Sequence, residues 1–448
     1  MDSAPFEGRS VAAAQQPLWE DPAGVDRVRR HLAGCPPLVR AEDVATLREL
    51  LARVAVGEAL VLQCGDCAED PAESDRASVL RKAALLDLLA GTLALTAGRP
   101  VLRVGRIGGQ FCKPRSAEFE RVGTEVLPVY RGHMVNRPGP TAADRRPDPQ
   151  HILTGYAAAS EVMRQLGWSG QTERSVFEAP VWTSHEALLL DYEQPMLRCQ
   201  PDGSTLLTST HWPWIGERTG QPDGRHVELL AGVTNPVACK VGPRARPDSL
   251  LALCQRLDPH RTPGRLTLIA RMGAETVATL LPELVAAVRA AGHPAIWLCD
   301  PMHANTVTAP SGHKTRYLRA VVAEVHAFQR AVRRAGGQPG GLHLETSPDA
   351  VEECVPDETA VHRVGARYTS FCDPRLNPEQ ARLVTAAWAS DAELAVEPQL
   401  DTGRPGGVKA GEPVGRRSMG QPSHRWRPDP RREPAAIGHD RTSRRTTN

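Results

Sequence analysis

Leu266-Thr267-Leu268-Ile269-Ala270-Arg271 is a continuous apolar run closed by a cation, and three residues later Glu275–Ala291 carries apolar residues at three- and four-residue spacing. Ala295–Asp300 then repeats the first pattern, another apolar run ending on a charge. A short run with no polar alternation predicts a strand buried on both faces, and the spacing between the two runs predicts a crossover helix. Working outward, the helical pattern Tyr317–Ala335 leads to a strand at Gly341–Glu345. Upstream, Pro236–Val241 is followed by the helical pattern Ser249–Leu257. Further strands are expected at Ala59–Gln63, Val101–Arg106 and Thr205–Ser209, with a weaker one near Ala179–Thr183, and further helices at Val44–Val54, Ala77–Leu95 and Ile152–Leu166. Eight strands alternating with helices imply an α/β fold with a parallel sheet, closed as a (β/α)8 barrel or doubly wound. No Gly-x-Gly-x-x-Gly follows the first strand and no Walker A motif occurs, which weakens the doubly wound, nucleotide-binding option.

The chain of 448 residues is 41% hydrophobic and 24% charged, enough to bury a large core. Aromatics at 4% leave few stacking platforms for nucleic acid, and no apolar run is long enough for a membrane span. No nucleic-acid partner, no membrane and a cytoplasmic location are therefore expected. Ten dispersed cysteines do not make a disulfide framework. Residues 401–448 hold 11 Lys/Arg against 5 Asp/Glu, so this stretch carries +6 and the preceding residues −4 of the overall +2. With 7 Gly, 6 Pro and no apolar periodicity, the stretch reads as disordered. The expected organisation is an N-terminal extension over 1–40, a barrel over 41–395 and a basic tail over 396–448.

Reactive side chains cluster where these strands end. Cys67 and Glu69 follow the first, Arg106 closes the second, and Lys113, Arg115 and Ser116 lie just beyond it. His185 and Glu186 follow the third strand, Trp214, Glu217 and Arg218 the fourth, and Lys240 lies in the fifth. Arg271 ends the sixth, Asp300 and His303 follow the seventh, Glu345 ends the eighth, and Asp373 sits in a later loop. Barrel enzymes build their sites from the C-terminal ends of several strands. Cys67, His303, Glu345 and Asp373 form a thiolate, imidazole and carboxylate donor set that suits Mn2+, Fe2+, Co2+ or Zn2+ better than Mg2+ or Ca2+. Taken singly, a cysteine after a strand is more often packing than ligand. Cys64-Gly65-Asp66-Cys67 is formally Cys-x-x-Cys, but no second pair exists to complete a zinc ribbon. Arg106, Lys113, Arg115, Arg218, Lys240 and Arg271 converging on one mouth imply a polyanionic ligand, two phosphates or a phosphate with a carboxylate.

The motifs Gly65-Asp66-Cys67-Ala68-Glu69, Arg106-Ile107-Gly108-Gly109-Gln110-Phe111-Cys112-Lys113-Pro114-Arg115-Ser116, Ser184-His185-Glu186, Trp214-Ile215-Gly216-Glu217-Arg218-Thr219, Lys240-Val241-Gly242-Pro243, Arg271-Met272-Gly273, Cys299-Asp300-Pro301-Met302-His303 and Cys372-Asp373-Pro374-Arg375 occur in this order. Together they resemble class II 3-deoxy-D-arabino-heptulosonate 7-phosphate (DAHP) synthases over residues 12–392. The resemblance implies a (β/α)8 barrel that condenses phosphoenolpyruvate with erythrose 4-phosphate, the first committed step toward shikimate, and a homo-oligomeric state. It implies metal ligands Cys67, His303, Glu345 and Asp373, with Mn2+ or Co2+ leading among the ions. Phosphoenolpyruvate would meet Arg106, Glu217, Arg218, Lys240 and Arg271, with Trp214 beside them. The aldose phosphate would meet Lys113, Arg115 and Ser116, with Glu186 near its hydroxyls. Lys240 and Glu217, facing each other, would handle protons, and His303 is the third catalytic candidate. Cys64, Gly220 and His133 stand where the family usually has Gly, Arg and Asp. The shortened segment between Arg106 and Glu186 resembles forms serving specialised metabolism. An aminoDAHP synthase and a non-catalytic scaffold paralogue are the alternatives.

Overall fold

The computed structural model describes residues 13–168 and 179–388. The expected tail over 396–448 lies outside the described residues. Eight parallel strands form one sheet: β1 (Leu60–Gly65), β2 (Val101–Arg106), β3 (Trp182–Thr183), β4 (Trp214–Ile215), β5 (Val237–Val241), β6 (Leu266–Ala270), β7 (Ile296–Cys299) and β8 (Pro339–Glu345). Their order around the sheet is β3-β2-β1-β8-β7-β6-β5-β4. The two ends meet through a parallel bridge between Glu186 and Trp214, with Trp212 N donating to Thr183 O at 3.1 Å and Trp214 N to His185 O at 3.0 Å. The ring is therefore a (β/α)8 barrel, with no open edge between β3 and β4.

Helices α1 (Pro22–Ala33) and α2 (Ala41–Ala55) precede the barrel. Next, α3 (Arg76–Ala97) follows β1 and α4 (Gln150–Gln165) lies between β2 and β3. Then α5 (Arg225–Ala231), α6 (Pro247–Leu257), α7 (Val277–Ala290), α8 (Leu318–Arg334) and α9 (Pro378–Ala386) follow β4 to β8 in turn. Local chemistry sets their ends. The Asp75 carboxylate caps the start of α3, and Gly98 in the left-handed region closes it. Asn377 and Gln380 make a reciprocal capping box at α9, with Pro378 at its first position. On α8, Val321, Val325, Phe328 and Val332 form the buried stripe that packs the helix on the sheet.

β5, β6, β7 and β8 are buried on both faces apart from half-buried Lys240, as expected for strands covered by helices. Gly341 in β8 has φ +135°, and a Cβ there would stand 1.9 Å from Val61 O, so only glycine lets β1 and β8 pair at this point. The expected fourth strand requires correction. Thr205–Leu207 pairs antiparallel with Leu197–Cys199 in a hairpin outside the barrel, and the fourth barrel strand is Trp214–Ile215. Two-residue strands carry no apolar period, so the longer hairpin arm read as the better candidate.

Candidate active site

The C-terminal ends of the barrel strands enclose a cavity of about 330 Å3, within the range of small-ligand sites. Arg106, Lys113, Arg115, Ser116, Glu186, Trp214, Glu217, Arg218, Lys240, Arg271, His303 and Asp373 all line it. So do Gln110, Thr306, Lys314 and Arg316, which the sequence did not single out. Of the remaining expected site residues, Glu345 is fully buried beneath the lining, and Cys67 is buried beside it.

Glu345, the last residue of β8, is the hub of the cavity floor. Its Oε1 accepts from Arg106 Nη2 at 3.2 Å and Lys113 Nζ at 3.2 Å and faces His303 Nε2 at 3.1 Å. Its Oε2 accepts from Arg316 Nη2 at 2.9 Å. Burial opposes ionisation, yet His303, Lys113 and Arg316 together hold this carboxyl well below the usual range. Asp373 accepts from Lys113 Nζ at 3.0 Å and Lys314 Nζ at 2.9 Å. Burial opposes its ionisation too, and Lys113, Lys314 and Arg316 lower its pKa.

Donor atoms of His303, Glu345 and Asp373 lie within 4.8 Å of one another. His303 Nδ1 faces Asp300 Oδ2 at 2.8 Å. Donation there leaves the Nε2 lone pair directed at the carboxylates, as in a metal-ligating imidazole steered by a carboxylate. These three residues fit a divalent cation. The Cys67 thiol stands apart from them, with its Sγ 3.1 Å from Ser370 Oγ. A hydrogen bond from Cys372, opposed by burial and aided by Lys113, brings its pKa down to about 7. Cys64 is buried at the end of β1. Burial raises its thiol to about 12, against a hydrogen bond with Thr346.

Two clamps hold the loops that carry these groups. The Glu69 carboxylate accepts from the backbone of Gly108, Gly109 and Gln110 at 2.8–2.9 Å, shaping the loop that presents Lys113. Glu353 accepts from Ser370 N at 2.8 Å and Arg375 N at 2.7 Å, while Arg375 Nη1 donates to Asp66 Oδ1 at 2.8 Å. The Asp373 loop is thereby tied to the Cys67 loop.

The expected Lys240–Glu217 pair does not form. Lys240 Nζ donates to Asp300 Oδ2 at 2.9 Å and stands 3.3 Å from His303 Nδ1, whereas Glu217 pairs with Arg271. Burial, joined by Arg106, outweighs Asp300 and lowers the Lys240 pKa. Asp300 is legible in the Cys299–His303 motif, but its pairing with Lys240 and His303 shows only in the fold. Lys314 and Arg316 lie on a hairpin (Thr306–Thr308 with Lys314–Arg316), so no strand-end position flagged them.

Arg106 lies over the Trp214 ring at 5.3 Å and meets His343 Nε2 at 3.1 Å. Among the described residues Glu186 Oε1 has no hydrogen-bond partner, and burial raises its pKa despite Lys240 and Lys113. A Cβ on Gly216 would come within 2.1 Å of that oxygen, so glycine is needed for Glu186 to reach the cavity. Arg115 pairs with Glu120 at 3.1 Å. Ser116 and Arg218 are exposed at the rim.

Comparison with known proteins agrees with this geometry. The model of the class II DAHP synthetase family matches residues 4–166 and 158–389. A probable phospho-2-dehydro-3-deoxyheptonate aldolase of Pseudomonas fluorescens is 56% identical over 379 residues, covering 84% of this chain and 94% of that protein. Phospho-2-dehydro-3-deoxyheptonate aldolases of Mycolicibacterium smegmatis and Streptomyces coelicolor are 37% and 39% identical. They align with 82% and 83% of this chain and with 90% and 94% of their own lengths.

Proposed function

The chain belongs to the class II DAHP synthetase family, and from that premise we propose that its cavity joins phosphoenolpyruvate to erythrose 4-phosphate, giving DAHP and inorganic phosphate. The observation that carries this reading is one cavity lined by cations from six separate loops and strands around His303, Glu345 and Asp373. Two phosphorylated substrates need such charge, and an aldehyde acceptor needs a polarising centre.

In this reading Arg106, Lys240 and Arg271 take the phosphoenolpyruvate carboxylate and phosphate, joined by Arg218 at the rim. Lys113, Arg115 and Ser116 take the aldose phosphate, and Glu186, whose pKa burial raises, meets its hydroxyls. A divalent ion, Mn2+ or Co2+ in this reading, would be held by His303, Glu345 and Asp373, with the Cys67 thiol standing apart against Ser370. When bound, it supplies Lewis-acid polarisation of the aldehyde. C3 of phosphoenolpyruvate adds to C1 of the aldose. Water then adds at C2, and phosphate leaves from that carbon. Lys240, whose hold on its proton is weakened by burial, serves the oxygen that gains charge at C1, while Asp300 keeps the ammonium aimed. Glu217, paired with Arg271, keeps that guanidinium turned into the cavity.

The test is release of phosphate from phosphoenolpyruvate after chelation, then with Mn2+ or Co2+ restored. Release that depends on erythrose 4-phosphate and returns with metal is expected. Metal-loaded protein that consumes no phosphoenolpyruvate in the presence of the aldose would overturn the assignment.

No helix among the described residues is long and apolar enough to cross a membrane.

A further inference from the structure

Glu324 sits on α8, outside the cavity, yet its side chain is 1% exposed. It interrupts the buried stripe of Val321, Val325 and Phe328. A carboxylate on the packed face of a helix is costly unless donors surround it, and here three do. Oε1 accepts from Met272 N at 3.0 Å and Gly273 N at 2.8 Å. Oε2 accepts from Asn305 Nδ2 at 2.6 Å. Asn305 also donates to Pro301 O at 2.8 Å and accepts from Ala274 N at 3.1 Å. Glu324 and Asn305 thus take the amide protons of three successive residues, 272 to 274. Gly273, with φ +87°, makes the turn that presents them.

The three residues they hold begin directly after Arg271. The loop that supplies Asn305 also carries His303. On the cavity side these same two turns are joined again, because Arg271 Nη2 donates to His303 O at 3.0 Å. The turns after β6 and β7 are therefore laced from both sides, by Arg271 within the cavity and by Glu324 behind it.

We propose that Glu324 is a positioning residue that sets the Arg271 guanidinium and the His303 imidazole relative to each other, so that phosphoenolpyruvate affinity and metal affinity both depend on a carboxylate that touches neither ligand. The proposal rests on the function given above. It leaves the aldose phosphate unaffected, because Lys113, Arg115 and Ser116 stand on the β2 loop, which Glu69 holds separately.

Glu324→Gln tests it. Three donors face this side chain, so an amide turned either way sets its own N–H against one of them. The KM for phosphoenolpyruvate and the Mn2+ dissociation constant, read by calorimetry, should each rise about tenfold. The KM for erythrose 4-phosphate should stay within about twofold. Asn305→Ala removes one arm and should move the same two constants by about threefold. If the glutamine variant does not fold, the Asn305 variant decides alone. Unchanged phosphoenolpyruvate and Mn2+ constants, or a rise in the aldose KM in step with them, would overturn the proposal. Parent protein that binds Mn2+ but turns over neither substrate would sink the functional reading instead, and the Mn2+ comparison between parent and variants would still test the clamp.

Discussion

The floor of the cavity and its rim are built on opposite terms. On the floor, Glu345, Arg316 and Arg106 have at most 2% exposure, and every charge is matched within about hydrogen-bond distance. At the rim, Arg218 and Ser116 face solvent. A buried charge that loses its partner is left without water, whereas an exposed one is rehydrated. Substitutions on the floor should therefore disturb both fold and chemistry, and those at the rim only ligand capture.

The largest effect is expected from Glu345→Gln. It removes the shared anion of Arg106, Lys113 and Arg316, at a cost of about 3–5 kcal/mol in denaturant unfolding, together with loss of measurable phosphate release. A variant as stable as the parent would show that the floor cations rearrange freely, which erases the contrast. Lys240→Met comes next. It keeps the stem and removes the ammonium, so kcat should fall roughly 10²–10⁴-fold and the KM for phosphoenolpyruvate should rise, while the KM for the aldose phosphate changes little.

A pH experiment sharpens the contrast behind the floor. Burial, opposed by the Gly273 amide and reinforced by Asp300, raises the Glu324 carboxyl from 4.5 to about 7. Asp300, from the end of β7, is the charged neighbour facing it, and the Cys299 thiol lies on the same side. Between these two pH values the folded protein binds more protons than the unfolded chain. The stability this group contributes is thus complete below pH 4.5 and is lost as pH rises through 7, by about 3 kcal/mol in all. The difference in unfolding free energy between parent and Glu324→Gln should slope downward across that window. A flat difference would show that the Glu324 carboxyl does not titrate in that window.

Smaller effects belong to the rim. Arg218→Ala should raise the KM for phosphoenolpyruvate about tenfold with no change in melting temperature. Ser116→Ala should raise that for the aldose phosphate by about threefold at most. A fall in melting temperature for either would mean that the rim, like the floor, carries structure.

The second half of the barrel was legible and the first half only partly so. β5, β6, β7 and β8 are four to seven residues long and largely apolar, broken by Lys240 in β5 and by His343 and Glu345 in β8, and their expected limits lie within a few residues of those observed. β3 and β4 have two residues each. Their pairing is dictated by neighbours across the ring, whereas Thr205–Ser209 has the longer apolar run that sequence favours as a barrel strand. The short helices α5 and α9 went unread because seven and nine residues give barely two turns of period. In the site, strand-end charges were recognisable because a cation or carboxylate closing an apolar run is a local anomaly. Lys314 and Arg316 sit in a polar hairpin where charge is ordinary, and Glu324 in a helix where glutamate is common.

Sequence alone determined the alternation of strand and helix, the residues that close the strands, and the family to which those motifs belong. Each is written in the order and spacing of side chains. Only the tertiary structure decided which charges meet. Closure of the ring brought Lys240 to Asp300 rather than Glu217, and assembled His303, Glu345 and Asp373 while turning Cys67 toward Ser370. Ion pairing falls off within a few ångströms, and positions at that scale are set by strand stagger and loop clamps between segments tens to hundreds of residues apart.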